Sequence, residues 1–450
     1  VAGRSEKAYF KINQSGKDLR MTFLYDSIHY DATVRGNELR VKVRGDIQKD
    51  FLFKAPNTLN EPLALLTAHI CSVPFQIQAK KCVVTPALKH DRMDRLVRIF
   101  KANLSTYVSL YPDYPNDVHI TSIDEHDALK VLSALNTVHI EKLDHPAIAV
   151  STGKESLLGW HLLNAYTRVS GGSVDTYAVN NANMLAQHMI KCPLSITRHP
   201  LYGPSGWRQE YNMTLPWRIF TLASVSACTD WLIFGDEYET NQCFELSKGR
   251  FFFTDDFDQS VYVSGLINWA VKDLTNTRVS SLVGNLCEMQ IQGIVDAVVP
   301  SKVRRQQISC WTDTRWCCDC AKCNRFSLLF EALHGRPDPL PSMPLNFIDR
   351  MDPVRMWNYC HALKGNPRYE SSSFYTPGRK SLDLIRILIK MRRGMRCLPV
   401  STDFLRVFQT SDTLLLIDTP FNDVLAAQLE QFESRIQRKM TQRLRVVKDA

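Results

Sequence analysis

Between residues 117 and about 325, short apolar runs alternate with longer segments of helical spacing, and this alternation constrains the fold more than any other feature of the chain. Residues 147–150 form a continuous apolar run, after which Leu157, Leu158, Leu162 and Leu163 recur at helical spacing. Residues 174–179 read as a second strand, 215–227 as a helix and 231–234 as a third strand. Strand, helix, strand, helix, strand is the pattern of a parallel sheet with helices on both faces. Such sheets bind ligands beyond the carboxyl ends of their strands. Two polar loops fall at such ends, 151–156 and 235–242. The expected class is therefore α/β, with a parallel-sheet core. The segment 170–176, rich in Ser and Gly, precedes a predicted strand and reads as a loop.

The flanks differ in texture. With 450 residues the chain is long enough for two or three domains at roughly 150 residues each. Residues 1–85 read as β-rich: Leu39, Val41 and Val43 alternate with Arg40, Lys42 and Arg44, the two-residue period of a half-buried strand. Residues 13–18 and 35–38 carry turn chemistry. From Arg92 to about Tyr111, Met93, Leu96, Val97, Ile99 and Phe100 suit a helix. Pro112 and Pro115 then break the pattern and mark a boundary. Beyond Cys323 a proline-rich link, 337–344, leads to a basic segment that includes Arg386, Arg392, Arg393, Arg435, Arg438, Lys439, Arg443 and Arg445. The expected division is a β-rich domain at 1–115, an α/β domain at 116–330, and a basic, mostly helical extension at 331–450.

Charge and cysteine usage narrow the classes further. Fifty-five Lys and Arg against 46 Asp and Glu give a net charge of +9, which favours an anionic partner such as a nucleotide or nucleic acid. No apolar run reaches the roughly 18 residues that a spanning helix needs. Val1 to Glu6 lack the apolar core of a secretory signal, so a cytoplasmic protein is expected. The absence of an initiator Met leads to the expectation of a processed, excised or trimmed chain. Five of the 13 cysteines lie between Cys310 and Cys323, which points to a metal in a reducing compartment rather than a disulfide framework.

Three constellations carry candidate chemistry. Ser151, Thr152, Gly153, Lys154, Glu155 and Ser156 form a short loop between strand and helix, whose N–H groups, hydroxyls and lysine make a receptacle for phosphate or pyrophosphate. An ordinary helix cap uses the same residue types. Cys310, Cys317, Cys320 and Cys323 are four thiolates at turn spacing, matching a closed zinc site. Iron–sulfur clusters use similar spacing, and Cys318 is a spare, either replacing Cys317 as ligand or packed beside the site. Glu237 and Asn241 stand at a strand end opposite the phosphate loop, where a carboxylate holds Mg²⁺ together with phosphate oxygens. Asp255, Asp256 and Asp258 read equally well as a solvated acidic loop. His119, His126, His145, His161, His188 and His199 show no metal-pair spacing.

Taken in order, these pieces resemble the PP-loop ATP pyrophosphatases, in particular the branch with 7-cyano-7-deazaguanine synthase and UDP-N-acetylmuramoyl-L-alanyl-L-glutamate epimerase. The family's Ser-Gly-Gly-x-Asp-Ser loop is similar to residues 151–156. Its Gly-His-Val-Pro helix entry resembles 212–216, and the epimerase's Asn-Glu-x-x-x-Asn resembles 236–241. A Trp-Cys-x-x-Cys-x-Lys-Cys run matches Trp316 to Cys323 and is the most specific of the four. The likeness covers about 120–325 well, 1–115 more loosely, and nothing beyond about 330.

The resemblance implies a PP-loop fold that uses ATP to adenylate a carboxyl or carbonyl oxygen and releases pyrophosphate into the loop, as an isomerase or a ligase. It implies Ser151, Thr152, Gly153, Lys154, Glu155, Ser156 and Asn241 as nucleotide ligands, and Lys154 and Glu237 as catalytic groups. The cofactors would be ATP, Mg²⁺ and Zn²⁺, and the substrate a small carboxylate. Three departures stand against it. Thr152 replaces a glycine and resists positive φ, Glu155 replaces Asp, and Thr214 replaces His. They sustain an alternative, a catalytically decayed fold serving as a structural or nucleic-acid-associated protein. For the basic extension, a solvated helix face competes with nucleic-acid binding.

Overall fold

The computed structural model describes residues 25–55, 57–109, 122–142, 144–150, 153–166, 170–173, 194–195, 215–237, 243–247, 249–253, 257–305 and 420–448, with single positions between 307 and 334. Among the described residues it is a mixed α/β structure with three sheets.

The N-terminal sheet holds β1 (Tyr25–Arg35), β2 (Glu38–Gly45), β3 (Lys49–Lys54) and β4 (Ala79–Thr85) in the order β3-β2-β1-β4. Leu39, Val41 and Val43 face the core while Arg40 and Lys42 face solvent, as the alternation requires. The β1–β2 turn uses Gly36 at φ +58°, a conformation L side chains avoid. The expectation of a β-rich front missed one element, α1 (Glu61–Gln78). Its start is legible: Asn60 caps the helix by accepting from Leu63 N–H at 3.4 Å, and Pro62 sits in the first turn. Its body is not, because thirteen of its residues are buried and the helix is apolar nearly all round, leaving no period to read. Helix α2 (Asp91–Ser109) follows, burying Met93, Leu96, Val97, Ile99 and Phe100.

The second sheet is a small antiparallel one of β5 (Ile123–Asp124), β10 (Cys243–Ser247) and β11 (Arg250–Phe253). The third is the predicted parallel sheet: β6 (Pro146–Ala149), β7 (Ser170–Ser173), β8 (Leu194–Ser195), β9 (Trp231–Phe234) and β12 (Arg278–Ser281). Its spatial order is β12-β9-β6-β7-β8, and every neighbouring pair is parallel. Counting these strands along the chain, the order is 3-2-1-4-5, so the direction of winding reverses between β6 and β9. Strand β7 corrects the reading of 170–173 as a loop. Gly and Ser have poor strand propensity, but here they pair with Ala147, Ile148 and Ala149, and the ladder uses only backbone groups. The predicted strand at 174–179 and the boundary at 111–116 lie outside the described residues.

Side chains of the parallel sheet alternate between two cores. Ala147, Leu232, Phe234 and Val279 join a core with α5 (Leu215–Val225), α6 (Val261–Val271) and the N-terminal elements. Ile148, Trp231 and Ile233 join a second core with α4 (Lys154–Tyr166), α7 (Glu288–Val298) and the start of α8 (Asn422–Lys448). The N-terminal elements thus share packing with α5 and α6. Phe53 of β3 lies against Trp217 and Phe220 of α5, at ring-centroid distances of 5.3 and 5.2 Å. Asn60 N–H donates to Ala223 O at 2.9 Å, and its side chain donates to Leu274 O at 3.2 Å. Helix α8 packs on the second core as well. Leu425, Leu429, Phe432 and Ile436 of α8 are buried, and Leu425 and Leu429 lie in the second core. Among the described residues no helix is long and apolar enough to cross a membrane.

Candidate functional site at the carboxyl edge of the parallel sheet

The two loops singled out in the sequence meet where the winding reverses. Strand β6 leads into α4, whose first residue is Lys154, and the neighbouring β9 leads into Gly235, Asp236 and Glu237. They pack closely: a Cβ on Gly235 would stand 2.7 Å from Glu155 Cβ, so glycine is what allows the β9 loop to lie on the first turn of α4.

Lys154 is the centre of the site. It is only 1% exposed, and its ammonium is engaged by three carboxylates. Glu155 is the nearest; Glu237 Oε2 lies at 3.0 Å and Glu288 Oε1 at 3.4 Å. The ring of Phe326 stands 5.7 Å from Nζ, within cation–π reach. Three carboxylates thus meet one ammonium, making Lys154 the hub of a buried ion cluster. The trio surrounds the lysine rather than forming a ready metal cage. Among the described residues, the group of three whose ligand atoms lie within 4.8 Å of one another is Asp124, His126 and Asp127. Those side chains already have work: Asp124 caps α3 (Glu125–Ala134) by accepting from Asp127 N–H, and Arg95 bonds both Asp127 and His126.

Gly153 O accepts the first helical bond, from Leu157 N–H, and also the Ser156 hydroxyl at 3.1 Å. Ser156 therefore braces the helix start. Ser151, Thr152 and Asn241 lie outside the described residues, as do Asp255 and Asp256. Asp258 is buried in a single 3₁₀ turn rather than solvated, next to Ser260, which caps α6.

Sequence reasoning missed Glu288. It is the first residue of α7, after the buried Cys287, and it reaches the site from the end of β12. A helix-start acid three residues before an apolar stripe reads as a dipole partner, so only the strand order shows that it faces Lys154. Sequence reasoning also missed Arg218, on α5. Both its terminal nitrogens bond Asp236, and NH1 lies 3.3 Å from the Ser264 hydroxyl.

Of the four thiols proposed for zinc, Cys310, Cys317 and Cys320 lie outside the described residues; Cys323 is fully buried. Trp316 donates its indole N–H to Gln307 O at 3.2 Å and packs on Phe326, with ring centroids 5.1 Å apart. The residues flanking the cysteine run thus reach Lys154 through Phe326. No family model, curated protein or solved structure matches the chain.

Proposed function

We propose that the carboxyl edge of the parallel sheet binds ATP with Mg²⁺, and that the chain is an ATP-dependent adenylating enzyme of the PP-loop ATP pyrophosphatase type. The observation that carries this reading is the convergence of the α4 start, with Lys154, and the β9 end, with Glu237, at the reversal point of a 3-2-1-4-5 sheet. The donor set fits the cofactor. N–H groups at the start of α4 suit pyrophosphate, Lys154 supplies a cation, and two carboxylates from Glu155, Glu237 and Glu288 suit Mg²⁺, which takes one or two plus phosphate oxygens. ATP supplies the adenylyl group, and Mg²⁺ offsets the charge of the phosphates. The chain's own part is to hold the pyrophosphate at 151–156 while the substrate's carboxyl or carbonyl oxygen meets the α-phosphorus. In this reading zinc on Cys310, Cys317, Cys320 and Cys323 holds the segment whose Phe326 covers Lys154.

Incubation with Mg²⁺–ATP and a panel of small carboxylates should release pyrophosphate, and a Lys154→Ala, Ser156→Ala variant should not. Equal release from the two proteins would remove the loop from the reaction.

A second reading is favoured by the burial of Lys154 against three carboxylates, an ion cluster that also suits a pin for a fold kept as scaffold. In that reading the chain is a structural or nucleic-acid-associated protein, with the basic residues of the C-terminal extension, including the exposed Arg438, on the anionic partner. Affinity for RNA would then fall steeply with salt as counterions are released. An RNA shift that is absent or independent of salt would remove it.

A further inference from the structure

We propose that Arg218 is a positioning residue, acting through Asp236 to set the Glu237 carboxylate on Lys154; the proposal rests on the reading of this edge as the functional site. Asp236 is 1% exposed, and four elements hold it. From α5, Arg218 donates NH1 to Oδ2 at 2.9 Å and NH2 to Oδ1. From α6, the Ser264 hydroxyl donates to Oδ2 at 3.0 Å. From the last residue of β12, the Ser281 hydroxyl donates to the Asp236 carbonyl at 2.8 Å. The fourth is β9 itself, whose Phe234 ring lies 4.6 Å below the Arg218 guanidinium.

The two residues flanking Asp236 are both on the site. Gly235 lies against Glu155, and Glu237 reaches Lys154 at 3.0 Å. Fixing Asp236 therefore fixes the backbone from which Glu237 projects. Stability alone is a poor explanation for the arrangement. A buried ion pair stabilises a fold no more than well-packed apolar groups of similar volume. Arg218 Nε is moreover buried with no hydrogen-bond partner among the described residues, an added cost. What the planar, two-pronged pairing does supply is geometry.

The test uses the reactivity of the Lys154 amine toward acetic anhydride at mildly alkaline pH, read by peptide mass spectrometry in the full chain. It needs no nucleotide. Four proteins are compared: wild type, Glu237→Gln, the apolar replacement Arg218→Met with Asp236→Leu, and the combination. Glu237→Gln removes one carboxylate from the ammonium and should raise Lys154 reactivity about tenfold. The apolar pair should melt close to wild type and raise reactivity by a similar factor. In the Glu237→Gln background it should add less than about twofold, because both changes act through one contact. Wild-type reactivity in the apolar pair, or an effect that multiplies in full with Glu237→Gln, would overturn the proposal. Should the apolar pair fail to fold, Ser264→Ala and Ser281→Ala make the same comparison, each expected to raise reactivity at least twofold in wild type and not in Glu237→Gln. Failure of the wild type to bind Mg²⁺–ATP would refute the adenylation reading and leave this pattern standing.

Discussion

Replacing Gly293 should loosen the docking of the C-terminal helix while leaving the parallel sheet intact. A Cβ at 293 would stand 2.4 Å from Cδ2 and Cε2 of Phe432 and 3.2 Å from Cγ, so α8 must lift before any larger side chain fits. Forcing extra carbons into such a contact costs about 1–3 kcal/mol, and valine should lie near the upper end. Against this stands the burial of Leu425, Leu429, Phe432 and Ile436, each contributing up to about 1.5–3 kcal/mol. Gly293→Val should therefore loosen the docking without abolishing it. A loss of about 3 kcal/mol raises the undocked population roughly a hundredfold, at about 1.4 kcal/mol per factor of ten. Amide hydrogen exchange should accelerate by about that factor in 422–436 and stay unchanged in β6 and β9. Phe432→Ala alone should cost about 3–5 kcal/mol, and combined with Gly293→Val the total should fall below the sum, because the valine fills the void. Unchanged exchange at 422–436, or equal acceleration throughout the parallel sheet, would refute the reasoning.

Burial lowers the pKa of both His69 and His161, partly opposed at His69 by its bond to the Pro86 carbonyl. As pH falls the unfolded chain takes up their protons first, near 6.5; their stability contribution is present above that value and is lost as pH falls through the lowered folded values. A His69→Gln, His161→Gln variant should show a shallower loss of stability between about pH 7 and about pH 5, and an unchanged slope would contradict this. Burial also raises the Cys71 thiol, and pushes Cys82 and Cys243 up to about 11. Since the thiolate is the reactive form, iodoacetamide at mildly alkaline pH should, of Cys71, Cys82, Cys228 and Cys243, modify the exposed Cys228 first and Cys71 last, a reversed order counting against the packing of β1, β4 and α1. Elemental analysis should find stoichiometric zinc, with Cys320→Ser losing it and melting lower; neither zinc nor iron in the purified protein would end the cysteine reading.

Where one face of an element is buried, the sequence displayed it: the alternation of β2 and the stripe of α2 are legible because polar residues mark the other face. Helix α1 hid its helical period by burying almost its whole circumference, so only Asn60 and Pro62 announced it. Strand β7 hid for the opposite reason, since Gly171 and Gly172 carry no side-chain signal and form a strand through the ladder to β6 alone. The site divides similarly. Lys154 and Glu237 were legible because each follows an apolar strand. Glu288 and Arg218 were not, because what brings them there is the placement of β12 beside β9 and of α5 and α6 on one face. The role of α8 in the core was hidden by its charge, since its buried residues are spaced among Glu430, Arg435 and Arg438.

Calorimetric titration of the full chain with ATP, with and without Mg²⁺, decides whether the Lys154 edge is a nucleotide site. Saturable binding that requires Mg²⁺, which takes one or two carboxylates together with phosphate oxygens, and weaker binding in Glu237→Gln are the expected results. No heat of binding at millimolar Mg²⁺–ATP, from a wild-type protein that melts cooperatively, would contradict the claim and leave the ion cluster as a structural pin.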